Sequence, residues 1–293
     1  MPDALAALRE ALETATGRKL SAAPESPLHD GGHARWVAES GPIFVKTSQP
    51  AALDAFEAEA AGLAELAGAE AFRVPAVLAT GVTERQAFIA LEWLELAANT
   101  RQSESRLGTA LAMLHRSSAP RFGWHRDNTI GRTPQSNRLT HEWPAFFVEQ
   151  RLAPQLALAG RNGADTRLLA AGHRLCECVP LFFTSYRPVP SLVHGDLWGG
   201  NWGTDTAGHP VVFDPAVYYG DRETDIAMTW LFGGYGPAFY TAYQAAWPLD
   251  PAAGTRRTLY NLYHVLNHYN LFGGGYAAEA QAMSQRLLAE IGH

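Results

Sequence analysis

Two short β-prone runs, Leu192-Val193 and Val211-Val212-Phe213, flank the stretch Val193-His194-Gly195-Asp196-Leu197-Trp198-Gly199-Gly200-Asn201 in a region whose other patterns are helical. No other feature limits the fold so much. Three glycines with an acid and an amide in so short a span read as a tight loop rather than a helix or strand. Asp196 and Asn201 lie five residues apart on it, and Asp214 follows Asn201 after thirteen positions, at the end of the second run. These are oxygen donors, suited to a hard divalent cation such as magnesium. The two cysteines, Cys176 and Cys178, are separated by one residue, which fits neither a zinc knuckle nor a C-x-x-C pair, and they are expected to sit reduced in a helix.

Upstream, the patterns change. Leu5, Leu8 and Leu12 mark an amphipathic opening helix, and a Pro, Gly and Ser-rich patch from Ser21 to Gly32 follows it. His33 to Glu39, a Gly41-Pro42 turn and Ile43 to Lys46 predict a hairpin; Val77 to Thr80 and Gln86 to Leu91 predict two further strands broken at Gly81. A helix is expected from Ala51 to Ala67. Beyond Leu96 helical spacing dominates, as in Leu107, Leu111 and Leu114 or Leu259, Leu262, Leu266 and Tyr269. The pattern predicts an α+β chain with a small antiparallel-sheet lobe over residues 1–95 and a larger helical lobe over 96–293.

Within the small lobe one pair of charges stands out. Of the 23 basic residues only Lys19 and Lys46 are lysines, and Lys46 ends the apolar strand Ile43-Phe44-Val45. An ammonium there can meet a phosphate as a point charge, though a solvated strand end is an equal reading. At about 100° per residue, Leu53, Phe56, Ala60, Leu63, Leu66 and Ala67 form one stripe of the next helix, with Glu59 inside it and Glu57 at its margin. A carboxylate aimed at a core needs a partner. A Lys46–Glu59 ion pair is therefore expected.

The order Lys46, Glu59, Asp196, Asn201, Asp214 matches the parts of a kinase: a phosphate-orienting pair, a proton acceptor, an amide on magnesium and a second metal-binding acid. The run His194 to Asn201, Phe213-Asp214-Pro215-Ala216, the segment Tyr219 to Met228 and Phe122-Gly123-Trp124-His125 together resemble the fructosamine-3-kinase (ketosamine 3-kinase) family. That family is a branch of the aminoglycoside-phosphotransferase and protein-kinase-like fold, and the similarity runs from about Pro27 to the last helices. The resemblance implies ATP and Mg2+ as cofactors and a ketosamine, free or on a protein lysine, as substrate. It makes Asp196 the proton acceptor, Asn201 and Asp214 the metal ligands, and Lys46 with Glu59 the phosphate-orienting pair. It also places the backbone of Glu92-Trp93-Leu94 at adenine, Gly31-Gly32 over the phosphates and Trp198 on the sugar, with Trp124 and His125 as further substrate contacts. Asp225 would brace the catalytic loop. After the paired glycines the chain departs from the family pattern, with His33-Ala34-Arg35-Trp36 where a short residue and an Ile-Asn step are usual.

A net charge of −6 disfavours a nucleic-acid binder, and no apolar run reaches the ~18 residues of a membrane span. A cytoplasmic location and a monomer or weak homodimer are expected. His264 and His268 lack the glutamate of an H-E-x-x-H site and read as structural, as does His115 at the edge of a core; Trp143, Phe146 and Phe147 read as core. The weighed alternatives are an aminoglycoside- or choline-type kinase of the same fold and a non-catalytic nucleotide-binding module.

Overall fold

The structure, a computed structural model, describes residues 2–25 and 32–292. The chain forms two compact units, 1–99 with 203–214, and 100–202 with 215–293. In the first, α1 (Pro2–Thr16), β1 (His33–Trp36), β2 (Ile43–Ser48), α2 (Leu53–Gly68), β3 (Val77–Val82) and β4 (Ala87–Glu92) surround one antiparallel sheet of order β1-β2-β4-β3. Strand β2 buries Ile43, Val45 and Thr47 alternately, so Phe44, Lys46 and Ser48 share the opposite face. Leu8 and Leu12 of α1 pack with Trp36, Ile43, Val45 and Phe88. Leu63 of α2 packs with Ile89 and Leu91, and Phe44 and Phe56 lie against them. Burying each large apolar side chain contributes about 1.5–3 kcal/mol, so both helices are integral to the sheet. Helix α2 thus lies on the face that carries Lys46.

Two local expectations need correction. The fully buried residues of α2 are Ala58, Gly62, Leu63 and Leu66, an arc rotated away from Leu53, while Phe56 and Ala60 are partly buried against the same core. At about 100° per residue that rotation brings Glu59 nearer the middle of the arc and leaves Ala67 exposed outside it. Strand β3 is not broken at Gly81, which pairs with Phe88. A Cβ there would come within 2.5 Å of the Phe88 ring. The glycine is needed for that ring rather than for a turn.

Strand β5 (Leu96–Ala97) pairs with Thr204 and Asp205, and Arg73 bridges to Val211. These ladders assign residues 203–214 to the first unit, and that unit runs through Asn99, past residue 95.

The second unit holds α3 (Arg101–Arg116), α4 (Trp143–Phe147), α5 (Ala153–Arg161), α6 (Thr166–Cys178), α7 (Glu223–Leu231), α8 (Pro237–Ala246), α9 (Ala253–Phe272) and α10 (Tyr276–Glu290). Thr100 and Ser103 form a reciprocal capping box that starts α3, whose Leu107, Leu111 and Leu114 are buried. Trp143, Phe146 and Phe147 are core, and Cys176 and Cys178 lie on α6 as free thiols. The strands Ser191–Val193 and Tyr218–Gly220 pair antiparallel. Among the described residues no helix is long and apolar enough to cross a membrane.

Candidate active site

In the first unit, Lys46 Nζ donates to Glu59 Oε1 at 2.8 Å and also to Asp214 Oδ1. Strand β2 aims the ammonium at α2, and the rotated arc of α2 places Glu59 to receive it. Burial works against the ammonium, but the two carboxylates outweigh it and raise the Lys46 pKa. Burial and the nearby Asp214 charge push Glu59 up, against the pull of Lys46. One ammonium shared by two carboxylates leaves an excess negative charge, so the cluster favours a further cation. Asp214 has a φ of 56°, a left-handed conformation. Such backbone is uncommon outside glycine and concentrates at functional sites.

In the second unit the loop from His194 to Asn201 is held from beneath. Asp225 accepts from His194 N at 2.7 Å and from Gly195 N at 2.9 Å. His115 Nε2 lies 3.2 Å from the same carboxylate, and its Nδ1 lies 2.8 Å from Tyr243 Oη. Burial lowers the His115 pKa. A neutral imidazole that accepts at Nδ1 and donates at Nε2 therefore completes the chain Tyr243, His115, Asp225, loop. His115 is wholly buried rather than at a core edge. Gly195 has φ 82°, and a Cβ there would lie 2.1 Å from Ala216 O, so only glycine allows the turn that presents Asp196.

Above this brace, Asn201 Nδ2 donates to Asp196 O at 2.9 Å and reaches Asp196 Oδ2 at 3.3 Å. The amide is thereby oriented with its oxygen on the other edge. Trp198 N donates to Asp196 O, and Asn201 N to Trp198 O, which closes the loop in two successive turns. The Trp198 ring covers Gly200 and is 41% exposed. His125 is exposed, whereas Trp124, packed edge-on against it at 4.4 Å, is buried.

Glu92 ends β4, its N–H donates to Ala76 O, and its carboxylate pairs with Arg73 at 2.6 Å. Trp93 and Leu94 follow outside regular structure. Gly32 O accepts from Thr47 N, which ties the end of the glycine pair to the strand of Lys46; Gly31 lies outside the described residues. Sequence reading did not find Arg73, which reaches Glu92, Asp205 and the backbone of Pro210 and Val212. Nor did it find the buried network around Asp221. Tyr186 and Tyr260 donate to that carboxylate, while the neighbouring Glu223 is held by both edges of Arg256. The signal was the run Asp221-Arg222-Glu223-Thr224-Asp225, too charged for a helix start that is wholly buried.

Among the described residues no three His, Cys, Asp or Glu side chains are arranged to hold a metal. The Asn201 amide and the Asp214 carboxylate are hard oxygen donors of the kind magnesium takes when phosphate and water supply its other ligands. The donor chemistry of each of these two residues suits that ion.

The fructosamine kinase family model matches residues 5–290, so the similarity extends through α1 as well. A probable ketoamine kinase of Synechocystis is 46% identical over 246 residues, 84% of this chain and 82% of that protein. The chloroplastic protein-ribulosamine 3-kinase of Oryza sativa is 40% identical over 248 residues, 84% of this chain and 72% of that one. A crystal structure from Thermobifida fusca with a provisional fructosamine-3-kinase designation superposes with TM-score 0.86 at 32% identity, covering 96% of this chain and 98% of that one. The aminoglycoside phosphotransferase APH(4)-Ia, solved with ADP and hygromycin B, shares the fold at TM-score 0.67 and 15% identity, over 98% of this chain and 99% of its own. With a lysine clasped by two carboxylates and a family match along nearly the whole chain, this protein belongs to the fructosamine kinase family.

Proposed function

We propose that the protein transfers the γ-phosphoryl group of ATP to the third-carbon hydroxyl of a ketosamine, the adduct of a sugar with an amine or a protein lysine. The observation that carries this reading is Lys46 clasped between Glu59 and Asp214 in a member of this family. Relatives named for ketoamine and ribulosamine substrates support the choice of acceptor.

Asp196 accepts the proton of the attacking hydroxyl as that oxygen bonds to phosphorus and the bond to the ADP oxygen breaks. Asn201 fixes the position of Asp196 through its amide nitrogen. Lys46, kept protonated by its two partners, offsets charge on the triphosphate. A magnesium ion held by Asn201 and Asp214 would neutralise further phosphate charge when bound. The Glu92-Trp93-Leu94 backbone receives adenine, Gly31-Gly32 covers the phosphates, and Trp198 and His125 line the sugar site with Trp124 behind. The 3-phosphorylated product then breaks down and frees the amine, a deglycation. A cytoplasmic location, where ATP is supplied, and a monomer or weak homodimer belong to the same reading.

The test is ATP consumption with ribulose-lysine and fructose-lysine against a panel of aminoglycosides and choline. Turnover with a ketosamine and none with the panel is expected. Turnover confined to the panel would transfer the protein to the antibiotic or choline kinases.

A further inference from the structure

A cavity of about 410 Å³ opens among α7, α8 and α9 of the second unit. It is apart from Asp196 and Asn201, neither of which lines it. Its wall is chiefly apolar and aromatic, with Ile226, Leu249, Trp230, Tyr240 and Tyr243. The volume falls in the range of small-molecule sites, roughly 300–1,000 Å³. Gly254, in the first turn of α9, is exposed on its rim, and a Cβ built there would meet nothing within 4 Å.

Charge and ring geometry specify an occupant. Trp230 is 50% exposed. It stacks on Tyr240 at 4.3 Å and 28°, and the Arg257 guanidinium lies 4.7 Å from its ring centroid. The adjacent Arg256 takes up Glu223 and Asp250, whereas among the described residues Arg257 has no ion pair. The carboxylate of Glu223 on the cavity wall is already engaged by Arg256 through both oxygens, so it does not compete for Arg257. An exposed ring stack beside a guanidinium that lacks an anion suits a flat ring ending in a carboxylate. The ring packs against the stack, and the carboxylate takes the fork. We infer that this cavity binds a planar aromatic carboxylate, held by the Trp230–Tyr240 stack and Arg257. Its inner wall, Tyr243, is the same side chain that supports His115 beneath the catalytic loop.

Isothermal titration of the full chain with 2-naphthoate, and with 2-naphthamide as its uncharged counterpart, tests the assignment without reference to kinase activity. The expected result is saturable one-to-one binding of naphthoate. Losing one charge-assisted contact should weaken it about tenfold, in Arg257→Gln and equally with the amide. Gly254→Leu, whose side chain enters open space and whose helix position favours it, should abolish binding while the melting temperature holds. Absence of saturation at millimolar naphthoate, or unchanged affinity in either variant, overturns the proposal. Ketosamine turnover of Arg257→Gln without naphthoate should equal that of the wild type, so a failure of this site and a failure of the kinase reading are seen separately.

Discussion

The support under the catalytic loop can be probed by Asp225→Asn. The native carboxylate accepts from His194 N, Gly195 N and His115 Nε2 at 2.7, 2.9 and 3.2 Å while wholly buried. An amide of the same shape keeps one acceptor and turns an NH2 group toward a donor. It therefore loses at least one charge-assisted bond, about 1.5–3 kcal/mol, and strands one buried N–H, about 1–3 kcal/mol. The sum, roughly 2.5–6 kcal/mol, is a large share of the ~5–15 kcal/mol that holds a typical domain folded. Because Asp196 is one residue beyond Gly195, the loop is also released at its root. Displacement by about 1 Å can cost on the order of 100-fold in rate. Urea denaturation followed by circular dichroism gives the first quantity, and steady-state turnover at a temperature where the variant is folded gives the second. KM for ATP should change little. A stability loss below about 1 kcal/mol with turnover within about twofold of wild type would refute the bracing argument.

Three further outcomes follow from the same structure. Lys46→Met should lower turnover by at least about 100-fold, and Lys46→Arg should not restore it, since a planar fork does not fit a point charge shared by two carboxylates; steady-state kinetics decide this. His264, whose pKa burial lowers from 6.5 to about 3, binds its proton in the unfolded chain before the folded one, so its contribution is lost as pH falls below 6.5. Relative to His264→Asn, the wild type should lose about 1.6 kcal/mol more between pH 6.5 and 5, measured by denaturant titration. Gly195→Ala should destabilise the protein by about 2–4 kcal/mol, through its φ of 82° and the clash with Ala216 O, as read from thermal melts.

What could be read from the chain follows the reach of each interaction. The Lys46–Glu59 pair was accessible because a strand and the next helix pack locally, and a carboxylate inside an apolar stripe demands a partner. The tight loop from Gly195 to Asn201 announced itself through its glycines. Arg73 was invisible because its partners, Glu92, Asp205 and the backbone near Val211, are brought to it by pairings far apart in sequence. The return of 203–214 to the first unit rests on the same ladders. The support of Asp225 by His115 and Tyr243 joins three helices, and no periodicity carries that information. Gly81 looked like a break, since a chain read one residue at a time cannot show the Phe88 ring that needs its space.

The most direct measurement of the central claim is phosphorus NMR of the product formed from ATP and fructose-lysine or ribulose-lysine, alongside Asp196→Asn. The account predicts a new phosphate ester on the third carbon of the sugar, followed by release of lysine, with the variant still binding ATP but yielding almost no ester. An ester on a different hydroxyl, or equal product from the variant, would contradict it.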